Sequence, residues 1–309
     1  MKKFFTIIVC GLLAIIALDQ IAGRVLDKLY HNATTGYQGR LNRIVHDGEA
    51  SVVIIGSSWA VHHYVPQVIS HSTGLTAMNC GFEAQGITTN YAIVRMLTER
   101  HRPELIVCDL NPHYDVNANP GTESYARVRT LTSLTCRDSL LQARDPWERL
   151  RMLSRIFPYN SSLLEFAMSS FSTGSPYDSP GQDNGYIPQH HTIKADAQAP
   201  RIHEAKTAST IKLNLLADLM TRYKGRIIFF TSPSFRVRHE FDAACKQIEH
   251  IARQHGVPYF DMRNDTTVTG KPELWDDYDH LNDTGARLYS AHVAHIITRY
   301  LALKNEREL

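Results

Sequence analysis

Apolar positions along the chain fall into two kinds of pattern. Short continuous runs, Ser51–Ile55 (SVVII), Leu105–Leu110 (LIVCDL) and Arg226–Thr231 (RIIFFT), are rich in β-branched and aromatic residues. Gly56, Asn111-Pro112 and Ser232-Pro233 close them. Runs of this length between turn residues suit strands covered on both faces. Thr76–Asn79, closed by Cys80 and Gly81, and Val257–Met262 are weaker members of the same set. Elsewhere the apolar period becomes helical. Thr88–Arg100 places Ala92, Ile93, Met96 and Leu97 on one face, and Ile211–Tyr223 does so with Leu215, Leu216 and Leu219. Phe241–His255 repeats the pattern with Cys245, Ile248, Ile251 and Ala252, and Ala286–Leu303 with Leu288, Val293, Ile296, Ile297 and Leu301. A further helix is expected over about Val61–Ser70. Strands alternating with helices predict an α/β domain built on a doubly wound, parallel, five-stranded sheet, whose sites collect at the carboxyl ends of the strands.

Two stretches break the rhythm. Lys2 and Lys3 precede an uncharged run, Phe4–Leu18, the pattern of an export signal. No small-x-small cleavage site follows, and Val9 before Cys10 argues against a lipoprotein. Residues 1–30 are therefore read as an uncleaved signal anchor. The lysines stay in the cytoplasm and the bulk faces the periplasm or the outside; secretion after cleavage is the alternative. Residues 31–309 are read as one domain, about 280 residues and ample for a buried core. Within it, about 113–207 is an insertion between sheet elements. It is expected to carry helices over Arg137–Ala143, Pro146–Phe157 and Ser161–Ser170, then a polar Ser/Pro/Gly-rich run, Ser172–Pro200, too poor in large apolar residues to pack firmly. The helical part has enough apolar surface to dock on the domain or on a membrane face. Either a cap over the site or a decoration on the opposite face fits.

Composition narrows the function. At 43% hydrophobic, 21% charged and net +2 over 309 residues, the chain is ordinary for a globular protein and lacks the clustered basic face of a nucleic-acid partner. The five cysteines show no CxxC spacing. His62-His63 and His190-His191 have no carboxylate or cysteine at ligand spacing, so no metal site is expected, and they are read as solvated or as supporting a site from behind. Arg127, Arg129 and Arg137 fit a basic rim over a site or a solvated helix face, of which the second is preferred.

Two segments carry chemistry. Gly56-Ser57-Ser58-Trp59 follows a buried strand directly, which presents a hydroxyl and free N–H groups at the carboxyl edge of the sheet. Asp277-Tyr278-Asp279-His280-Leu281-Asn282 precedes the last helix. An aspartate three residues before a histidine can hold the imidazole Nδ1–H and leave Nε2 to take a proton from a serine. Asn282, Asp283 or Thr284 then caps the helix.

With both segments in view, the chain resembles the SGNH (GDSL-like) hydrolase superfamily over roughly Val52–Leu301. Gly56-Ser57-Ser58 stands where the family has Gly-Asp-Ser, with Ser57 in place of the aspartate, and Asp277 and His280 match its Asp-x-x-His. The resemblance implies a flavodoxin-like sheet and a Ser58-His280-Asp277 triad. Its oxyanion hole would use the Ser58 N–H, a glycine after the second strand and an asparagine after the third. Gly86, which precedes a helix, is preferred for the glycine, with Gly81 still open. Asn111 is the candidate asparagine, although the glycine and the adjoining aspartate of the family's Gly-x-Asn-Asp are absent from Leu110-Asn111-Pro112-His113. The implied activity is that of a serine esterase or O-acyltransferase on an ester-bearing small molecule or an O-acylated (for example O-acetyl) envelope or extracellular glycan. It would need no cofactor and no metal. A catalytically silent binding or assembly protein on the same fold is the alternative. The oligomeric state is not legible.

Overall fold

The computed structural model describes residues 1–47, 49–118, 125–160, 163, 184–200 and 207–308. The chain divides into two compact units. Met1–Asp47 with Tyr125–Pro180 make one, and Gly48–Ser124 with Gly181–Leu309 the other.

The second unit holds the sheet. Its strands are β1 (Val52–Ile55), β2 (Ala77–Asn79), β3 (Leu105–Asp109), β4 (Ile227–Thr231) and β5 (Tyr259–Asp261), in the order β2-β1-β3-β4-β5. Every pairing is parallel, with Val52 beside Ala77 and Leu105, Ile106 beside Ile227, and Phe229 beside Tyr259. The order reverses between β1 and β3, the place where doubly wound sheets open a crevice at their carboxyl ends. Side chains alternate across each strand. Val52, Ile54, Leu105, Val107, Ile228 and Phe230 join one core cluster with Ile69 and with Tyr289, Val293 and Ile297 of the terminal helix Asp283–Glu308. The intervening residues are as buried and face the layer of Ile87–Arg100, Thr210–Arg222 and Asp242–His255. β5, at the sheet edge, is only half-buried.

The helix expected over about Val61–Ser70 is two helices, Ser58–His63 and Pro66–Thr73. Pro66 disfavours helical geometry in the residue before it, and Val65 is extended at φ −94°, ψ 106°.

In the first unit, Lys2–His31 is one helix, long and apolar enough by length and composition to cross a membrane, with none of its most apolar window buried. The helix expected over Pro146–Phe157 shrinks to Glu148–Arg151 and a 3-10 turn at Phe157–Tyr159. The reason is a competing acceptor. Asp19 takes the N–H groups of Arg155 (2.8 Å) and Ile156 (3.3 Å) and the Ser154 hydroxyl (2.6 Å), so these amides do not continue the helix. Arg137–Arg144 is helical. Arg127 lies over the Tyr37 ring, Arg129 chelates Glu148 and Arg137 pairs with Asp138, all inside this unit. The helix expected over Ser161–Ser170 lies outside the described residues apart from 163, as does 172–183 of the polar run.

Candidate active site

Gly56 ends β1 where the backbone comes against β3: a Cβ there would lie 2.7 Å from the Asp109 carbonyl and 2.8 Å from Ala60 Cβ. Ser57 then caps the helix Ser58–His63, its Oγ accepting the Trp59 N–H at 3.4 Å. Ser58 is the first helical residue and is partly exposed. Asn79, at the end of β2, ties this turn to its neighbour. Its Nδ2 donates to the carbonyls of Ala60 (2.6 Å) and Tyr64 (2.9 Å), and its Oδ1 accepts the Gly81 N–H at 3.0 Å. Sequence reasoning missed Asn79; a polar side chain closing an apolar strand just before a glycine loop was the available signal.

The loop 275–281 is closed by a bridge between Trp275 and Leu281, and the His280 carbonyl accepts the Asp276 N–H at 2.9 Å. Inside it, Asp277 Oδ1 accepts the N–H groups of Asp279 (2.7 Å) and His280 (2.8 Å), turning the carboxylate toward the His280 ring. His280 Nδ1 lies 2.9 Å from Asp277 Oδ2, and Nε2 lies 2.9 Å from Ser58 Oγ. Residues separated by the whole sheet in sequence thus form one hydrogen-bonded line. Burial works against an ionised Asp277, yet its bonds to His280 and to the two amides outweigh it and hold the carboxyl near 2. Burial likewise disfavours the His280 cation, and the bond and charge of Asp277 reverse that and raise its pKa above the ordinary histidine value. Asn282 caps the helix that follows, Oδ1 to the Gly285 N–H at 3.1 Å.

Arg238, which sequence reasoning missed, and His63, for which a supporting role was one of two readings, hold this loop. Arg238, only 1% exposed, grips both Asp279 oxygens at 2.9 and 2.8 Å, with its guanidinium 4.8 Å from the Tyr278 ring centre. His63, fully buried, sets Nε2 3.2 Å from both the Asp279 carbonyl and the Leu281 nitrogen. Burial first, then the nearby histidines, pushes its pKa well down, so it stays neutral beside His280. His62 turns the other way. Its Nδ1 meets the Ile187 carbonyl at 2.8 Å, its Nε2 faces Glu83 at 3.3 Å, and its ring stands edge-on to His280 with centres 5.2 Å apart. Trp59 is buried and packs with Phe241 and Cys245.

Of the oxyanion candidates, Gly86 caps Ile87–Arg100 in an extended conformation, and Asn111 Oδ1 accepts the His113 N–H at 3.1 Å, committing its acceptor end. Among the described residues none accepts from the Ser58 N–H, the Gly86 N–H or Asn111 Nδ2, whereas the Gly81 N–H is taken by Asn79. Residues 184–200, expected to be loosely packed, run along the rim with fixed partners. The Asp283 N–H reaches the Gln189 carbonyl (2.8 Å), the Ile193 N–H the Trp275 carbonyl (2.9 Å), and Arg236 the Ala195 carbonyl (2.7 Å). Backbone hydrogen bonds anchor this segment together with Tyr186, buried in the main core cluster, and Ile193, packed against that cluster.

No family model and no curated protein matches the chain. Among solved structures, it is similar to a lipase/acylhydrolase from Enterococcus faecalis, at 12% identity and TM-score 0.37, over 80% of this chain and 95% of that one. It is also similar to a mutant of an acetyl-xylooligosaccharide esterase from Geobacillus, at 10% identity and TM-score 0.38, over 80% and 92%. Likeness at this level carries no argument about chemistry, which rests on the chain's own side chains.

Proposed function

We propose that the chain is an exported, membrane-anchored serine esterase or acyltransferase of the SGNH (GDSL-like) type, acting on an O-acyl ester. The observation that carries the reading is the line from Ser58 Oγ through His280 to Asp277, with both contacts at 2.9 Å. His280 Nε2 takes the Ser58 proton as Oγ attacks the ester carbonyl, and Asp277 stabilises the imidazolium that forms. Collapse of the tetrahedral intermediate expels the alcohol, which receives that proton from His280 and leaves an acyl-serine. Water, or a sugar hydroxyl in a transferase, repeats the sequence on the acyl-enzyme and restores Ser58. The Ser58 N–H, the Gly86 N–H and Asn111 Nδ2 are the proposed oxyanion donors; the occupied Gly81 N–H favours Gly86. Donors of this kind typically supply about 3 kcal/mol each to the transition state.

The anchor helix directs the proposal to an acylated glycan of the cell envelope or the extracellular space. The polar side chains of Glu83, His62 and Gln189 beside His280 suit a hydroxyl-rich substrate, and residues 184–200 are proposed to shape the acceptor side of the site. The test is release of acetate from an O-acetylated glycan and from a small activated acetate, by the wild type and by Ser58→Ala. Activity that depends on Ser58 supports the esterase. One observation favours a second reading, a silent binding protein: the third-strand block reads Asn111-Pro112-His113, without the family's glycine and aspartate. A folded wild type without activity on either ester would favour it.

A further inference from the structure

The geometry points to a membrane-surface contact made by Trp147, Leu150 and Leu153, seating the first unit on the lipid interface beside its anchor helix. This rests on reading Lys2–His31 as a membrane anchor. The three side chains follow one another at three-residue intervals and are 65%, 58% and 71% exposed. Their backbone is firmly held. Glu148, buried between them in sequence, is chelated by Arg129 at 2.6 and 2.8 Å, and Asp145 accepts the Trp147 N–H at 3.0 Å. A fixed element that presents Trp and Leu outward asks for an apolar occupant.

What sets its level is the anchor helix itself. Asp19, the first charge after the apolar run Phe4–Leu18, holds Ser154, Arg155 and Ile156. Four residues on, Gly23 leaves no room for a side chain, since a Cβ there would fall 2.2 Å from Arg155 Cβ. Four residues further, Asp27 accepts from the Tyr159 hydroxyl. Positions 19, 23 and 27 lie on one face of the helix. The segment 154–159 therefore descends along that face from the end of the apolar run, away from the hydrocarbon. Residues 147–153 enter it at the level of Asp19, where the run stops. That run spans roughly 22 Å at about 1.5 Å per residue, short of the ~30 Å hydrocarbon thickness, so apolar side chains at its outer end extend the buried surface. Arg149 and Arg155 are exposed in the same stretch, and Trp with Arg is the composition of an interfacial element facing anionic headgroups.

The experiment uses the full-length protein in vesicles of phosphatidylcholine and phosphatidylglycerol with brominated acyl chains. Trp59 and Trp275 are buried at 2% and 0% exposure, so the difference between wild type and Trp147→Phe isolates Trp147. The expected result is a component of tryptophan emission that bromolipid quenches and acrylamide does not, lost in Trp147→Phe and weakened in a Leu150→Ser/Leu153→Ser double variant. Trp147 open to acrylamide and untouched by bromolipid would overturn the proposal, as would shielding from both, which means a protein partner or a second copy covers it. Alkaline extraction of the same vesicles separates the two readings. Loss of the protein from the membrane overturns the anchor and this contact with it, whereas retention with unquenched Trp147 overturns this contact alone.

Discussion

Asp109, which closes β3 beneath the proposed catalytic turn, is predicted to make the sheet unit less stable as pH rises from about 4 to 7. The residue is completely buried. Its Oδ1 accepts from Ser232 Oγ (2.9 Å), the Tyr64 hydroxyl (3.0 Å) and the Ser232 N–H (3.1 Å), and Oδ2 has no partner among the described residues. Burial outweighs those donors and pushes the carboxyl from 3.8 up to about 7. The folded protein thus keeps a proton that the unfolded chain releases. The associated stability is complete below 3.8 and is lost as pH climbs through 7. At about 1.4 kcal/mol per pH unit, the interval corresponds to roughly 4 kcal/mol. Asp109→Asn cannot ionise, and its Oδ1 can accept the same three donors. The variant should therefore gain a few kcal/mol of stability relative to wild type between pH 4 and pH 8. Denaturant titrations followed by Trp59 and Trp275, in a Trp147→Phe background, report this unit. A difference between the two proteins that does not change with pH would mean that Asp109 is ionised in the folded protein throughout this range.

Asp277→Asn should lower kcat by roughly 10²-fold or more. Without the anion that raises the His280 pKa, burial takes over, so the acid limb of kcat/KM should also move to lower pH in the pH–rate profile. Asn111→Asp keeps an acceptor for the His113 N–H and removes the Nδ2 donor, so kcat should fall about 10²-fold or more while the melting temperature holds. Arg238→Met leaves Asp279 without its bidentate partner. Breaking a buried pair costs about 3–5 kcal/mol, and the low end is expected because the Asp279 side chain is 26% exposed. Thermal denaturation should show that loss, together with a lower kcat as the His280 loop loosens.

The sheet was legible because its strands are continuous apolar runs with turn residues at both ends, and the Ser58 and His280 segments because each sits at a fixed place relative to a strand or helix. What escaped reading depends on partners distant in sequence. The break at Pro66 was visible locally, because a proline disfavours helical geometry in the residue before it. The early end of the helix after Arg151 depends on Asp19, far away in sequence. Arg238 drew no notice in the sequence and His63 was one of a histidine pair read as solvated or supporting, and only the fold brings them against the loop 275–281. The same holds for residues 184–200, whose order comes from backbone hydrogen bonds to that loop and its neighbours and from just two anchors in the core cluster, Tyr186 and Ile193.

The most direct measurement is covalent capture of the nucleophile. The full-length protein is treated with a fluorophosphonate and the adduct located by peptide mass spectrometry. The account predicts one adduct per chain, on Ser58, with labelling lost in Ser58→Ala and strongly slowed in His280→Ala. A folded wild type that takes up no probe, or a Ser58→Ala variant labelled as fast as wild type, would contradict it.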